Sequence, residues 1–254
     1  RPPMIHLTNI KKQHGSHILF NNASCQILPG SRSGLVGPNG AGKSTIFRLI
    51  TGEEDLDAGD ISCGKRVVIG YFSQDVGEMA GRSALAEVMA ASSEVMQLGE
   101  QISAMEAQMG EPLEEDALAA LLERYGDPQQ EFEHRGGYDL ENRAQAVLTG
   151  LGIGPEDYQR PVESFSGGWK MRIALAKILT INPDVLLLDE PTLGLDPESE
   201  RMLADRLPKL MGSSDVLIMT THSPIMLATV QRIIALDGGR VVADGPREKL
   251  LKIS

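Results

Sequence analysis

Gly37-Pro38-Asn39-Gly40-Ala41-Gly42-Lys43-Ser44-Thr45 decides the fold of this chain. The stretch fits G-x-x-x-x-G-K-[S/T] in full and carries a third glycine, Gly40, inside it. That spacing describes a loop wrapped around a polyphosphate, because glycines let the backbone turn until successive N–H groups point into one concavity. Lys43 then reaches the β- and γ-phosphates, and Ser44 holds Mg2+. A strand leads into such a loop and a helix follows it. Ile27, Leu28 and Leu35-Val36 are apolar enough for the approach, and residues 44–50 read as the helix. The helix start adds a favourable dipole for an anion.

Farther along, Ser166-Gly167-Gly168-Trp169-Lys170 opens a second helical segment over residues 171–179. Ser166 stands where an N-cap belongs, and the helix stops before Asn182-Pro183. This is another helix start suited to phosphate. Val185-Leu186-Leu187-Leu188-Asp189-Glu190 follows, an apolar run ending in two acids. Such a run suits a strand buried on both faces of a parallel sheet. Its C-terminal end is where ligands bind in open α/β sheets.

With these residues in order, the chain resembles the ATP-binding cassette (ABC) family over nearly its whole length. The phosphate loop resembles that family's Walker A. Ser166 to Trp169 resembles its signature motif, and Asp189-Glu190 its Walker B with the catalytic acid. Gln74, in Tyr71-Phe72-Ser73-Gln74-Asp75, is similar to the Q-loop. Leu195-Asp196 is similar to the D-loop, and His222, in Thr220-Thr221-His222-Ser223, to the switch histidine.

The resemblance implies an α/β P-loop fold with a mixed sheet, an N-terminal antiparallel β part and a helical subdomain. It implies ATP and Mg2+ as ligands and two cassettes packed head to tail, as a homodimer or with a second cassette. The residues from Gly37 through Pro38, Asn39, Gly40, Ala41, Gly42, Lys43, Ser44 and Thr45 would cradle the phosphates. Ser166, Gly167 and Gly168 would face the nucleotide of the other subunit. Ser44, Gln74 and Asp189 would hold the metal. Glu190 would orient and polarise the attacking water, His222 would sense the γ-phosphate, and Asp196 would link the two sites. Lys43 and Gln74 join Glu190 and His222 in catalysis. Many cassettes stack an aromatic on adenine about 23 residues before the phosphate loop. His14 stands there, by register with Ile10, Gly15 and Leu19, with Phe20 or Tyr71 as further contacts.

Two subfamilies are suggested. From Met4 to about Thr192 the chain resembles the first cassette of an ABC-F protein, a soluble class of cassette ATPase linked to ribosomes. Trp169 and the Tyr71-Phe72-Ser73-Gln74 context carry that likeness. Beyond Pro191, Leu193-Gly194 and the segments 221–226 and 232–245 look like a type I secretion exporter cassette. The simplest account of the change is an engineered fusion of two halves, and a natural mosaic is the other. The functional alternatives to a dimeric ATPase are a ribosome-binding translation factor fragment, the motor domain of a membrane transporter, and a dimerisation switch with negligible turnover.

Bulk properties narrow the setting. A 254-residue chain with 41% hydrophobic residues suits one large domain, or a core plus a small subdomain. Arg1-Pro2-Pro3 read as an addition before the native start at Met4. No signal peptide is visible and no apolar run approaches the roughly 20 residues of a membrane span. The two cysteines, Cys25 and Cys63, lack metal-type spacing and suggest a reducing, cytoplasmic compartment. The net charge is −11, and residues 76–135 hold thirteen Asp and Glu against Arg82, Arg124 and Arg135. That segment repels phosphate backbones and argues against direct contact with DNA.

The chain therefore divides into an ATPase core at 4–75 and 162–254 and a helical subdomain at 76–161, with an arm-like hairpin at 83–135. Val95, Leu98, Ile102, Met105 and Met109 recur at spacings of 3 and 4, a helical seam broken by Gly110 and Pro112. Leu113, Leu118, Leu121, Leu122 and Tyr125 mark its antiparallel partner. Another helix covers residues 140–151. Short strands are expected at 6–10, 18–20, 67–72, 216–219, 233–236 and 240–243, with Asp237-Gly238-Gly239 as a hairpin turn. A short helix over 248–253 ends the chain.

Overall fold

The computed structural model describes residues 4–64, 67–73 and 77–250. Gln74, the expected metal ligand and catalytic contributor, lies outside the described residues.

The first half of the chain supplies β1 (Ile5–His14), β2 (His17–Ile27), β3 (Arg32–Val36), α1 (Lys43–Thr51), β4 (Ala58–Cys63) and β5 (Ile69–Phe72). Then come α2 (Ala84–Met89), α3 (Ser93–Met109), α4 (Glu115–His134), α5 (Leu140–Gly150) and α6 (Gly167–Thr180). The last third gives β6 (Val185–Asp189), α7 (Pro197–Arg206), β7 (Val216–Thr220), α8 (Pro224–Leu227), β8 (Arg232–Asp237), β9 (Arg240–Pro246) and α9 (Arg247–Leu250). Among the described residues no helix is long and apolar enough to cross a membrane.

These elements form two compact units. The first holds residues 1–78, 167–171 and 182–254, and contains both sheets. Six strands run in the order β5-β6-β7-β3-β8-β9. All neighbours are parallel except β9, which returns antiparallel along β8. Every residue of β6 and β7 is buried, as their unbroken apolar runs require. The register sets Asp189 beside Thr220 and Leu35 beside Thr220, so the ends of β6, β7 and β3 lie level. The loops after these three strands therefore open on one edge of the sheet, where α/β proteins place ligands. Gly238 and Gly239 both have positive φ, 52° and 75°, the geometry of a two-residue turn between β8 and β9.

A second sheet, ordered β2-β1-β4, is antiparallel. Its first two strands run for 10 and 11 residues, longer than the apolar segments at 6–10 and 18–20. Polar residues such as the exposed Lys11 extend the pairing, because one face of an antiparallel sheet can stay wet. Between the sheets and α1 lies a core that includes Ile10, Phe20, Phe47, Leu187, Ile218 and Ile234.

The second unit holds residues 79–166 and 172–181. Residues 172–181, expected with the core, thus group with the helices. The hairpin is formed by α3 and α4, and Gly110 ends α3. Val95, Ile102 and Met105 are buried on α3. On α4 the inward positions are Leu118, Leu121, Tyr125, Pro128 and Phe132, again spaced 3, 4, 3 and 4. Leu122 lies about 100° round the helix from Leu121 and is 53% exposed. Leu113 precedes α4 and is exposed as well. The helix also continues through Pro128 to His134, past the expected end near Tyr125. Phe132 explains the extension. Its ring fills the space left by two glycines, where a Cβ on Gly99 or Gly137 would lie 3.0 or 2.3 Å away. It meets Tyr138 edge to face at 4.8 Å.

The acid Glu87 is buried within the same unit. It pairs with Lys177 and, at 3.3 Å, with Arg82, which is how a carboxylate is retained in an apolar setting.

Candidate functional site

The phosphate loop connects β3 to α1, as its spacing requires. Two glycines in it admit no side chain. A Cβ on Gly37 would stand 2.5 Å from the Leu236 carbonyl oxygen, and one on Gly42 would stand 2.5 Å from the Phe20 ring. Gly42 also has a φ of 90°, which disfavours any L residue. Lys43 folds back over the loop, its Nζ donating to the carbonyls of Gly37 at 2.8 Å and Pro38 at 3.1 Å.

Opposite this loop stand the ends of β6 and β7. Asp189 is buried, and its Oδ1 accepts from Thr220 Oγ1 at 2.6 Å. The Glu190 N–H donates to the Thr220 carbonyl at 3.1 Å and to Thr220 Oγ1 at 3.0 Å. Glu190 has a φ of 47°, a left-handed conformation costly for a non-glycine residue. Its two bonds to Thr220 hold the backbone there. Its side chain is 12% exposed and places Oε1 3.4 Å from Nε2 of His222, itself 67% exposed.

A cleft of about 470 Å³ joins these groups. It is walled by His14 and Leu19 at one end, by Asn39, Gly40, Gly42, Lys43, Ser44, Thr45 and Arg48 along the loop and α1, and by Asp189, Glu190, Leu193 and His222 at the other. Gly37, Pro38 and Ala41 shape the loop without lining the cleft. Gly167 and Gly168 open α6, and a Cβ on Gly168 would touch Leu195 at 3.4 Å. Ser166 has the extended backbone of an N-cap, with no side-chain capping bond. Asp196 is engaged locally. It caps α7, accepting from the N–H groups of Glu198 and Ser199 and from Ser199 Oγ, and the Ser199 bonds hold its carboxyl below the usual range.

The expected aromatic contacts are corrected. Phe20 is fully buried beneath Gly42 and has no face to offer a base. Tyr71 packs edge to face on Phe47 at 5.9 Å, away from the cleft wall. Burial, reinforced by the Asp189 charge, pushes its phenol up to about 12. His14 does line the cleft, with Nε2 2.5 Å from Glu54 Oε1. Arg48 and Thr220 were missed by sequence reasoning. Arg48 stands four residues after Ser44, one helical turn on, and Thr220 stands two before His222. Those spacings are the signals that would have found them.

The residues present suit Mg2+ held together with phosphate. Ser44 offers a hydroxyl, and Asp189 a buried carboxylate of which Thr220 occupies Oδ1. Among the described residues no group of three or more His, Cys, Asp or Glu side chains is placed to hold a metal. Mg2+ bound largely through substrate phosphates and water needs no such cage.

A family model described as ABC transporter matches residues 20–193. The tylosin resistance ATP-binding protein TlrC of Streptomyces fradiae is 32% identical over 237 residues, 93% of this chain and 43% of that protein. The energy-dependent translational throttle protein EttA of Mycobacterium tuberculosis is 30% identical over 235 residues, 92% of this chain and 40% of its own length. The chain thus spans about two fifths of the length of either relative. The dimeric post-hydrolysis state of the cassette MJ0796, bound to ADP and Pi, shares the fold with a TM-score of 0.68 at 20% identity, covering 96% of this chain and 98% of that one. Both matches extend over more than nine tenths of the chain and so reach past Pro191, and a junction of two cassettes there finds no support. With the phosphate loop, the paired acids and the histidine gathered on one sheet edge and the family model covering most of the chain, the chain belongs to the ABC transporter family, as one of its nucleotide-binding ATPase cassettes.

Proposed function

We propose that this cassette hydrolyses ATP with Mg2+ in a site completed by a second cassette, as a head-to-tail dimer of this chain or with a related one. The observation that carries the reading is the placement of Glu190 and His222, 3.4 Å apart, in the cleft that also holds the phosphate loop. The roles follow from chemistry. The N–H groups of Gly40 to Ser44 cradle the phosphates, and Lys43 stabilises charge on the β- and γ-phosphates. Ser44, Gln74 and Asp189 would hold Mg2+, which would neutralise further phosphate charge. Glu190 orients and polarises the water that attacks the γ-phosphorus, while the bond to the β-bridging oxygen breaks. His222 donates to the γ-phosphate. Ser166, Gly167 and Gly168 present a helix start to the nucleotide of the partner.

The test is Glu190→Gln, studied by light scattering and turnover. It is expected to keep ATP affinity, lose about 10²–10³-fold in rate, and shift from monomer to dimer with Mg-ATP. Turnover like that of the parent chain would remove Glu190 from catalysis. A mass unchanged by ATP would remove the self-dimer.

A second reading is favoured by the similarity to EttA, whose name places it in translation. In this reading the cassette is part of a cytoplasmic ABC-F factor that works at the ribosome. The acidic hairpin argues against RNA contact through α3 and α4. Salt-dependent co-sedimentation with ribosomes tests it. The alternative, a transporter motor, predicts no such co-sedimentation.

A further inference from the structure

Glu54 follows α1 and belongs to none of the motifs above. Its carboxylate is divided among donors from two elements. Oε1 meets His14 Nε2 at 2.5 Å and Lys12 Nζ at 3.3 Å, both from β1. Oε2 accepts from Arg48 Nε at 3.1 Å, and Arg48 Nη2 continues to Thr45 Oγ1 at 3.2 Å on the first turn of α1. Burial would raise the Glu54 carboxyl, but the bonds from His14, Arg48 and Lys12 outweigh it and leave it at about 2. The acceptor is therefore anionic throughout the physiological range.

His14, Arg48 and Thr45 line the cleft, and Glu54 does not. The series His14–Glu54–Arg48–Thr45 thus joins the far wall of the cleft to the helix turn beside the phosphate loop. A carboxylate on one ring nitrogen orients the imidazole, much as an outer carboxylate orients a ligating histidine, and the His14 side chain stays half exposed. Lys12 strengthens the tie by donating to the Asp55 carbonyl at 2.7 Å.

We propose that Glu54 is a positioning residue for the base of a purine nucleoside triphosphate, setting the plane of the His14 ring and its distance from the phosphate-binding turn of α1. The inference rests on the nucleotide reading of the cleft.

Calorimetric binding of Mg-ATP and of magnesium tripolyphosphate, which has no base, tests it in the parent chain, Glu54→Gln, His14→Phe and the double variant. Glu54→Gln is expected to weaken ATP by about five- to tenfold, the worth of an ordinary hydrogen bond, and to leave tripolyphosphate unchanged. In the His14→Phe background, where the ring needs no anchor, Glu54→Gln is expected to cost nothing. Equal losses for both ligands, no loss for ATP, or a loss that persists with Phe at 14 would overturn the proposal. His14→Gln gives the same selective loss should Glu54→Gln fail to fold. A parent chain that binds neither ligand would sink the nucleotide reading itself, a result distinct from all of these.

Discussion

Thr220 donates its Oγ1 hydrogen to Asp189 Oδ1 across 2.6 Å, and both residues are buried. The same Oγ1 accepts the N–H of Glu190 at 3.0 Å. One hydroxyl on β7 therefore holds both the Asp189 carboxylate and the Glu190 backbone. Thr220→Val keeps the shape and deletes both bonds. It is expected to lower stability by about 1–3 kcal/mol in urea unfolding and turnover by about tenfold. Thr220→Ser, which keeps the hydroxyl, restores most of both. Equal turnover for Val and Ser variants would show that the hydroxyl serves packing alone.

Gly42 carries two constraints at once, a φ of 90° and the Phe20 ring 2.5 Å from any Cβ. Gly42→Ala is expected to cost more than about 1 kcal/mol and to weaken ATP binding at least tenfold, since the loop must move to admit the methyl. Adding Phe20→Leu relieves the clash but not the strained φ, so affinity returns only in part. Nucleotide titration of the two variants separates these costs.

The depressed carboxyl of Glu54 has a consequence for acid stability. Its folded value of about 2 lies below the ordinary 4.5. The stabilisation is present above the ordinary value and is lost as pH falls from about 4.5 toward 2. Glu54→Gln removes a titrating group, so its urea midpoint is expected to change less between pH 5 and pH 3 than that of the parent. Parallel pH profiles would mean that the Glu54 contacts are not kept in solution.

Phe132 is the anchor of the hairpin. Phe132→Ala empties the space between Gly99 and Gly137 and removes the ring contact with Tyr138. It is expected to cost about 2–4 kcal/mol within the second unit. Limited proteolysis should then cut first between α3 and α4. Cleavage no faster than in the parent chain would place the anchor elsewhere.

The features legible in the sequence were those that chemistry confines to a few spacings. The loop at 37–45, the buried run at 185–189 and the seam from Val95 to Met109 each obey a period or a fixed pattern, and each stands where expected. What escaped depended on partners distant in the chain. Phe20 reads as a ring free to stack, and only the approach of Gly42 shows why it is buried. Leu122 reads as seam because it adjoins Leu121, and one residue of helical rotation puts it in water. Glu54 escaped because two of its partners, Lys12 and His14, come from β1, some forty residues earlier.

Strand β3 lies between β7 and β8. Its hydrogen-bonding neighbours are therefore made some 180 residues after it, when residues 216–220 and 232–237 emerge. During synthesis the phosphate loop lacks both neighbours of its strand until residues 216–237 have left the ribosome. Such distant pairing is slow and leaves an apolar strand uncovered meanwhile. A chain truncated before Val216 would carry the whole loop sequence yet lack the strands on either side of β3 that scaffold it.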